Sequence, residues 1–197
     1  MTTAPSPAPR TVLVIDNYDS FTFNLVQLLR ALDDTLAVRV VLNDRHTASE
    51  LLATNPWRVL ISHGPGSPRD AGVSNEIIAR ATVPVLGVCL GHQCIAARFG
   101  ASVVESGAPV HGKPARIQHT GEGLFHGVAQ GFTAARYHSL HVDRATLPAC
   151  LEVTAWTDDG VVMGLAHRTR AIVGVQFHPE SVLTTEGARL VRNFLAG

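Results

Sequence analysis

Cysteine is scarce in this chain, with three, Cys89, Cys94 and Cys150, among 197 residues. An odd, sparse set excludes a disulfide scaffold and fits a reducing compartment. A charge excess is lacking too, since Lys+Arg and Asp+Glu number 16 each. That balance removes the basic surplus carried by most binders of nucleic acid or anionic membrane. No apolar run approaches the ~18 residues of a membrane span. The opening MTTAPSPAPR lacks the charged-then-apolar order of a secretory signal. Ten histidines are scattered, and neither HExxH nor a Cys-x2-Cys pair occurs, so no zinc spacing is present and no metal site is expected. What is there is globular, with 46% hydrophobic and 16% charged residues. The expectation is a cytoplasmic protein with one domain over residues 11–197, behind a flexible tail over residues 1–10.

Strand and helix patterns alternate through the first half. TVLVID (Thr11–Asp16), Ala37–Leu42, Val59–Ser62 and Val85–Val88 read as buried strands. Between them, Phe21, Leu25, Leu28, Leu29 and Leu32 recur at helical spacing. Thr47 is placed to cap a short helix through Leu52. Asn75–Ala81 and Gly91–Phe99 are further helices, the latter stopped at Gly100. Past residue 101 the runs turn short and strand-like: Ser102–Glu105, Ala115–Gln118, Phe132–Tyr137, Leu151–Thr157, Val161–His167 and Ile172–Phe177. A closing helix, Thr185–Leu195, is expected with Thr184 as its cap. The fold class is α/β, a mostly parallel central sheet flanked by helices, with a smaller antiparallel β region in the second half. Sites in such sheets gather beyond the carboxyl ends of the strands.

One cysteine stands at such an end. GVCLG at residues 87–91 brackets Cys89 with glycines where a strand meets a helix. This is the thiol form of a nucleophile elbow, which raises a strained central residue above the sheet. The helix N-terminus there favours a thiolate, and the Leu90 amide points to where an oxyanion would form. A free thiol is only a few per cent ionised at neutral pH, so a base is required. VGVQFHPES supplies His178 at a strand end, with Glu180 two residues on and Pro179 stiffening the chain between. In extended chain those two side chains share a side, giving a candidate triad Cys89–His178–Glu180 for acyl transfer through a thioester. A cysteine after a strand is otherwise a small buried hydrophobe, and Cys94 and Cys150 are read that way.

These residues resemble the class I glutamine amidotransferases, within them the glutaminase subunits of anthranilate synthase and aminodeoxychorismate synthase. The similarity rests on DNYDSFTFN at 16–24, GPGSP at 64–68, GVCLGHQ at 87–93, HGK at 111–113, YHSL at 137–140 and QFHPES at 176–181. It implies the amidotransferase fold and a reaction in which Cys89 attacks the side-chain amide of glutamine. His178 would move the protons and Glu180 orient it, with the ammonia passing to a synthase that aminates chorismate. The resemblance assigns Gly64, Pro65 and Gly66 to a loop contacting glutamine, with Gly66 and Leu90 as oxyanion donors. It assigns Gln93, Ser139 and Leu140 to substrate binding. Tyr18, Asp19, Ser20, Phe21, His111 and Lys113 become contacts to the partner. No cofactor is implied in this chain, Mg²⁺ belonging to the synthase. Aminodeoxychorismate is taken as the product ahead of anthranilate. The family usually has proline where this chain has His63, which is read as a loop residue and not as a second base.

Two other readings fit fewer residues. A thiol hydrolase of the α/β-hydrolase type would need its acid ahead of the histidine in the chain, whereas Glu180 follows His178. A flavodoxin-like module with a redox-sensing Cys89 leaves Gln93, YHSL and the His178/Glu180 pair without a purpose.

Overall fold

The structure is a computed structural model that describes residues 10–197, apart from the side chains of residues 107–111. All but Arg10 of the expected tail, and the side chain of His111, therefore lie outside the described residues. The chain runs β1 (Thr11–Asp16), α1 (Thr22–Leu32), β2 (Ala37–Leu42), α2 (Ala48–Ala53), β3 (Arg58–Ile61), α3 (Ser74–Arg80), β4 (Val85–Val88) and α4 (Leu90–Arg98). It continues with β5 (Val103–His119), β6 (Phe132–Val142), β7 (Leu151–Thr157), β8 (Val162–His167), β9 (Ile172–Val175) and α5 (Gly187–Ala196).

Among the described residues, all nine strands share one sheet, in the order β2-β1-β3-β4-β9-β8-β7-β5-β6. The five strands from β2 to β9 are parallel, and the rest pair antiparallel. The period-2 alternation of strand side chains splits the core in two. Leu13, Ile15, Val59, Ile61 and Val85 face α2, α3 and α4. Val12, Val14, Leu60, Leu86 and Val88 face α1 and α5. Covered on both sides, β3 and β4 are buried throughout. Among the described residues no helix is long and apolar enough to cross a membrane.

Three expectations change. Phe21 is 58% exposed, because α1 begins one residue later and turns Leu25, Val26 and Leu29 inward. Ser102–Glu105 and Ala115–Gln118 belong to one 17-residue strand, β5. Its register against β6 shifts between Glu105 and Val110 and again between His111 and Lys113. Those bulges let a stretch interrupted by Gly and Pro stay in the ladder. Thr184 is not a helix cap, since α5 starts at Gly187 without a side-chain cap. Thr47, in contrast, closes a capping box with Glu50, and Gly100 ends α4 with φ +102°.

Because β1, β3, β4 and β9 are parallel, the segments leaving their carboxyl ends meet at one edge of the sheet. Residues 17–21, 62–66, 89 and 176–180 emerge there, and an isolated bridge from Ala135 to His178 brings in β6.

Candidate active site

Cys89 sits between β4 and α4 with φ 51° and ψ −98°, in a region L-residues avoid at a cost of ~1–3 kcal/mol. Its N–H donates to Val175 O at 2.8 Å and its carbonyl accepts from Gln93 N at 3.1 Å. The flanking glycines are required by space. A Cβ on Gly87 would stand 2.5 Å from the Gly91 backbone, and one on Gly91 would stand 2.5 Å from Ile61 O. The turn is closed so tightly that backbone passes against backbone on both sides of the thiol.

The thiol is buried, and burial with the charge of Glu180 pushes it up to about 12. Leu90 N–H and the Gln176 side chain pull the other way and do not win. The helix N-terminus therefore does not yield the thiolate its position suggested. The resting group is a thiol, and attack requires a base that takes the proton as the new bond forms.

The surroundings of His178 suit such a base. Its backbone is pinned: its N–H donates to Ala135 O at 3.1 Å, and its carbonyl accepts from Thr184 Oγ1 at 2.6 Å. Thr184 Oγ1 in turn accepts from Ala135 N at 3.0 Å. His178 Nδ1 lies 2.7 Å from Glu180 Oε1. A carboxylate can only accept, so Nδ1 carries the hydrogen. Nε2 is buried and has no hydrogen-bond partner among the described residues, as a proton acceptor needs. Tyr137 meets the ring edge-on at 5.0 Å. Burial would raise the Glu180 carboxyl, but contacts from His178 and His63 hold it down at about 2.

A cavity of about 150 Å³ opens above the elbow, lined by Gly64, Pro65, Gly66, Cys89, Leu90, Gln93 and the segment Tyr137–Leu140. Every residue expected at the substrate lies on that lining. Gln93 Nε2 donates to Leu140 O at 3.1 Å and to Gln176 Oε1 at 3.2 Å. Gln176 Nε2 reaches Cys89 Sγ at 3.5 Å. His138 is pushed down to about 4 by burial and by Arg136. Neutral, it donates from Nδ1 to Leu140 O at 2.8 Å and accepts from Arg136 Nε at 3.2 Å. The cleft floor is thus a hydrogen-bonded network ending at the sulfur. On the other wall, Asn17 N and Nδ2 donate to Ser62 Oγ and O at 3.0 and 2.8 Å. A Cβ on Gly64 would stand 2.4 Å from Asn17 O, so the glycine loop lies directly against that strap.

The family model described as Glutamine amidotransferase class-I matches residues 13–197. The chain belongs to the class-I glutamine amidotransferase family. Anthranilate synthase component 2 of Azospirillum brasilense is 50% identical over 93% of this chain and 94% of its own. Aminodeoxychorismate synthase component 2 of Escherichia coli is 46% identical over 93% of this chain and 98% of its own. The chain spans only 32% and 25% of the length of two multifunctional relatives it also matches. A crystal structure from Thermoplasma acidophilum, described as that of a GMP synthase subunit, superposes with a TM-score of 0.86. It is 29% identical and covers 97% of this chain and 94% of that one.

In this amidotransferase the N-terminal motif is more than surface. Asp19 Oδ1 accepts from Phe21 N at 2.9 Å at the start of α1, while its other oxygen faces His63 at 3.3 Å. Tyr18, at φ 62°, is exposed and bonds Asp44. Ser20, Phe21 and Lys113 are exposed as well. His63, expected in a loop, is buried inside the site. Gln176, Thr184 and Asn17 do not stand out in the sequence as site residues. A polar Gln176 at the end of an apolar strand is a signal for the first; nothing local marks the other two.

Proposed function

We propose that this subunit hydrolyses L-glutamine through Cys89, His178 and Glu180 and hands the ammonia to a chorismate-using synthase. The observation that carries it is the buried thiol on a strained elbow, with a carboxylate-oriented histidine whose second nitrogen has no partner among the described residues. Cys89 Sγ bonds to the side-chain amide carbon while its proton passes to His178 Nε2. The oxyanion that forms is met by the amides of Leu90 and Gly66. His178 returns the proton to the amide nitrogen, the C–N bond breaks and ammonia leaves. Water then loses a proton to His178 and attacks the thioester, and glutamate departs as the thiol is restored. Ser139 and Leu140 hold the substrate's amino-acid end through the main chain, Gln93 hydrogen-bonds the substrate, and the Gly64–Gly66 loop contacts it.

The named relatives are second components of synthases, which supports the partner. The exposed Tyr18 and Phe21, joined by Phe23, Val182 and Leu183, flank the Asp19–His63–Glu180 contacts and would carry its contact surface. This chain's residues call for no cofactor, and Mg²⁺ belongs to the partner. A reducing cytoplasm keeps Cys89 a thiol. Purification with the captured synthase, followed by chorismate, glutamine and Mg²⁺, tests the proposal. Aminodeoxychorismate, trapped as 4-aminobenzoate by a lyase, is the expected product, and anthranilate would assign the chain to the other pathway. Failure to use glutamine in either synthesis would overturn the reading.

A further inference from the structure

His63 is a buried titratable residue beside the triad that takes no part in the proton transfers above. His63 is 1% exposed, placed just after β3 with its carbonyl accepting from Ser62 Oγ at 2.6 Å. Its Nδ1 lies 3.3 Å from Asp19 Oδ2 and its Nε2 lies 3.1 Å from Glu180 Oε1. Its ring stacks on His178 at 4.7 Å and 24°. Neither carboxylate contact is aligned as a hydrogen bond, so what they share is charge. A neutral imidazole would turn a lone pair toward one of the two carboxylates; only the doubly protonated ring faces both with N–H. Without a cation between them, Asp19 and the buried Glu180 carboxylate would oppose each other, with only Asp19 partly open to solvent.

We infer that His63 is a positioning residue, an imidazolium that bridges Asp19 to Glu180 and so fixes the carboxylate that orients His178. The inference rests on the glutaminase reading. The titratable groups around His63 are Asp19 from the segment before α1, and His178 and Glu180 from the segment after β9. Cys89 faces Glu180 from the elbow. Burial alone would lower His63, yet Asp19 and Glu180 overcome it and hold the ring up at about 9. Asp19 in turn is kept below the usual carboxylate range, first by His63. The bridge ties the exposed segment carrying Tyr18 and Phe21 to the triad.

The test is covalent labelling of Cys89 in the full chain by 6-diazo-5-oxo-L-norleucine, a glutamine-analogue electrophile. The rate would be read by mass spectrometry from about pH 6 to about pH 10, where His63 changes charge. In the unsubstituted chain the limiting rate should fall as His63 loses its proton near pH 9. His63→Gln should slow labelling about tenfold near neutral pH and erase that alkaline limb, with half-saturation changed less than twofold. Asp19→Asn leaves Glu180 in place and should move the limb down by about one pH unit, which decides the matter even if His63→Gln does not fold. Profiles unchanged in both variants, or an unmoved limb in Asp19→Asn, would overturn the inference while glutaminase chemistry stands. No labelling of Cys89 in the unsubstituted chain would overturn the glutaminase reading and this inference with it.

Discussion

Cys89 combines a backbone conformation that costs energy with a thiol that burial keeps protonated. Both follow from the elbow: the turn lifts the side chain over the sheet, and the walls that form the cleft exclude water from the sulfur. With the thiol held at about 12, alkylation of Cys89 by iodoacetamide in the free chain should be slower near pH 8 than that of a free cysteine. It should still be rising above pH 10, because the thiolate is the nucleophile. Rapid labelling that levels off below pH 8 would contradict the burial argument. The roles of the two partners also separate. His178→Ala removes the proton carrier and should abolish turnover. Glu180→Gln keeps the carrier but loses its orientation and charge, lowering turnover by ~10⁴-fold and leaving a measurable residue. Equal, complete loss with both variants folded would deny that division. At this scale the sequence is informative where one residue type implies one chemistry. The Gly-x-Cys-x-Gly bracket and the His-x-Glu pair are both readable. His63 is not, because a histidine beside a Pro-Gly turn looks the same in solvent as between two carboxylates.

At the scale of elements, the parallel strands do the assembling. β4 and β9 are neighbours with Val88 opposite Val175, so the segments carrying Cys89 and His178 leave the sheet together. The strands and helices of the first half are legible because alternation and 3.6-residue spacing recur there without interruption. β5 is not, since Gly107, Pro109, Gly112 and Pro114 break its pattern and only the bulged pairing with β6 keeps it whole. Thr184 shows the same limit. A threonine just ahead of a helix reads as a cap, but its hydroxyl fastens His178 to β6 instead. Thr184→Val should therefore cost about 1–3 kcal/mol by leaving the buried Ala135 N–H unpaired and the His178 carbonyl with Ser181 N–H alone. It should also lower glutamine turnover, because the histidine backbone is no longer held. Chemical denaturation and steady-state turnover measure the two effects. A variant as stable and active as the parent would show that Thr184 holds nothing.

The whole molecule brings three carboxyl-end segments, from β1, β3 and β9, together at His63, between Asp19 and Glu180, and its stability should report their charge. His63 is raised from an ordinary 6.5 to about 9. Its contribution is fully present below about pH 6.5 and is lost as pH rises through 9. Glu180 is lowered from 4.5 to about 2, so its contribution is present above about pH 4.5 and is lost as pH falls through 2. The two shifts share the His63–Glu180 contact and are not added, Asp19 being the first to raise His63 and His178 the first to lower Glu180; the His63 shift alone corresponds to ~3 kcal/mol. The stability difference between the parent and His63→Gln should accordingly be largest from about pH 4.5 to 6.5 and shrink toward pH 9. A difference independent of pH would place a neutral His63 in the site. None of this can be read along the chain, where Asp19, His63 and Glu180 lie far apart; parallel pairing alone joins them. The measurement that tests the central claim most directly is Cys89→Ala in complex with the chorismate-using synthase. Glutamine-dependent synthesis should vanish while synthesis from added ammonium persists at the parental rate. Retained glutamine use, or loss of both activities, would contradict the assignment of glutamine cleavage to this thiol.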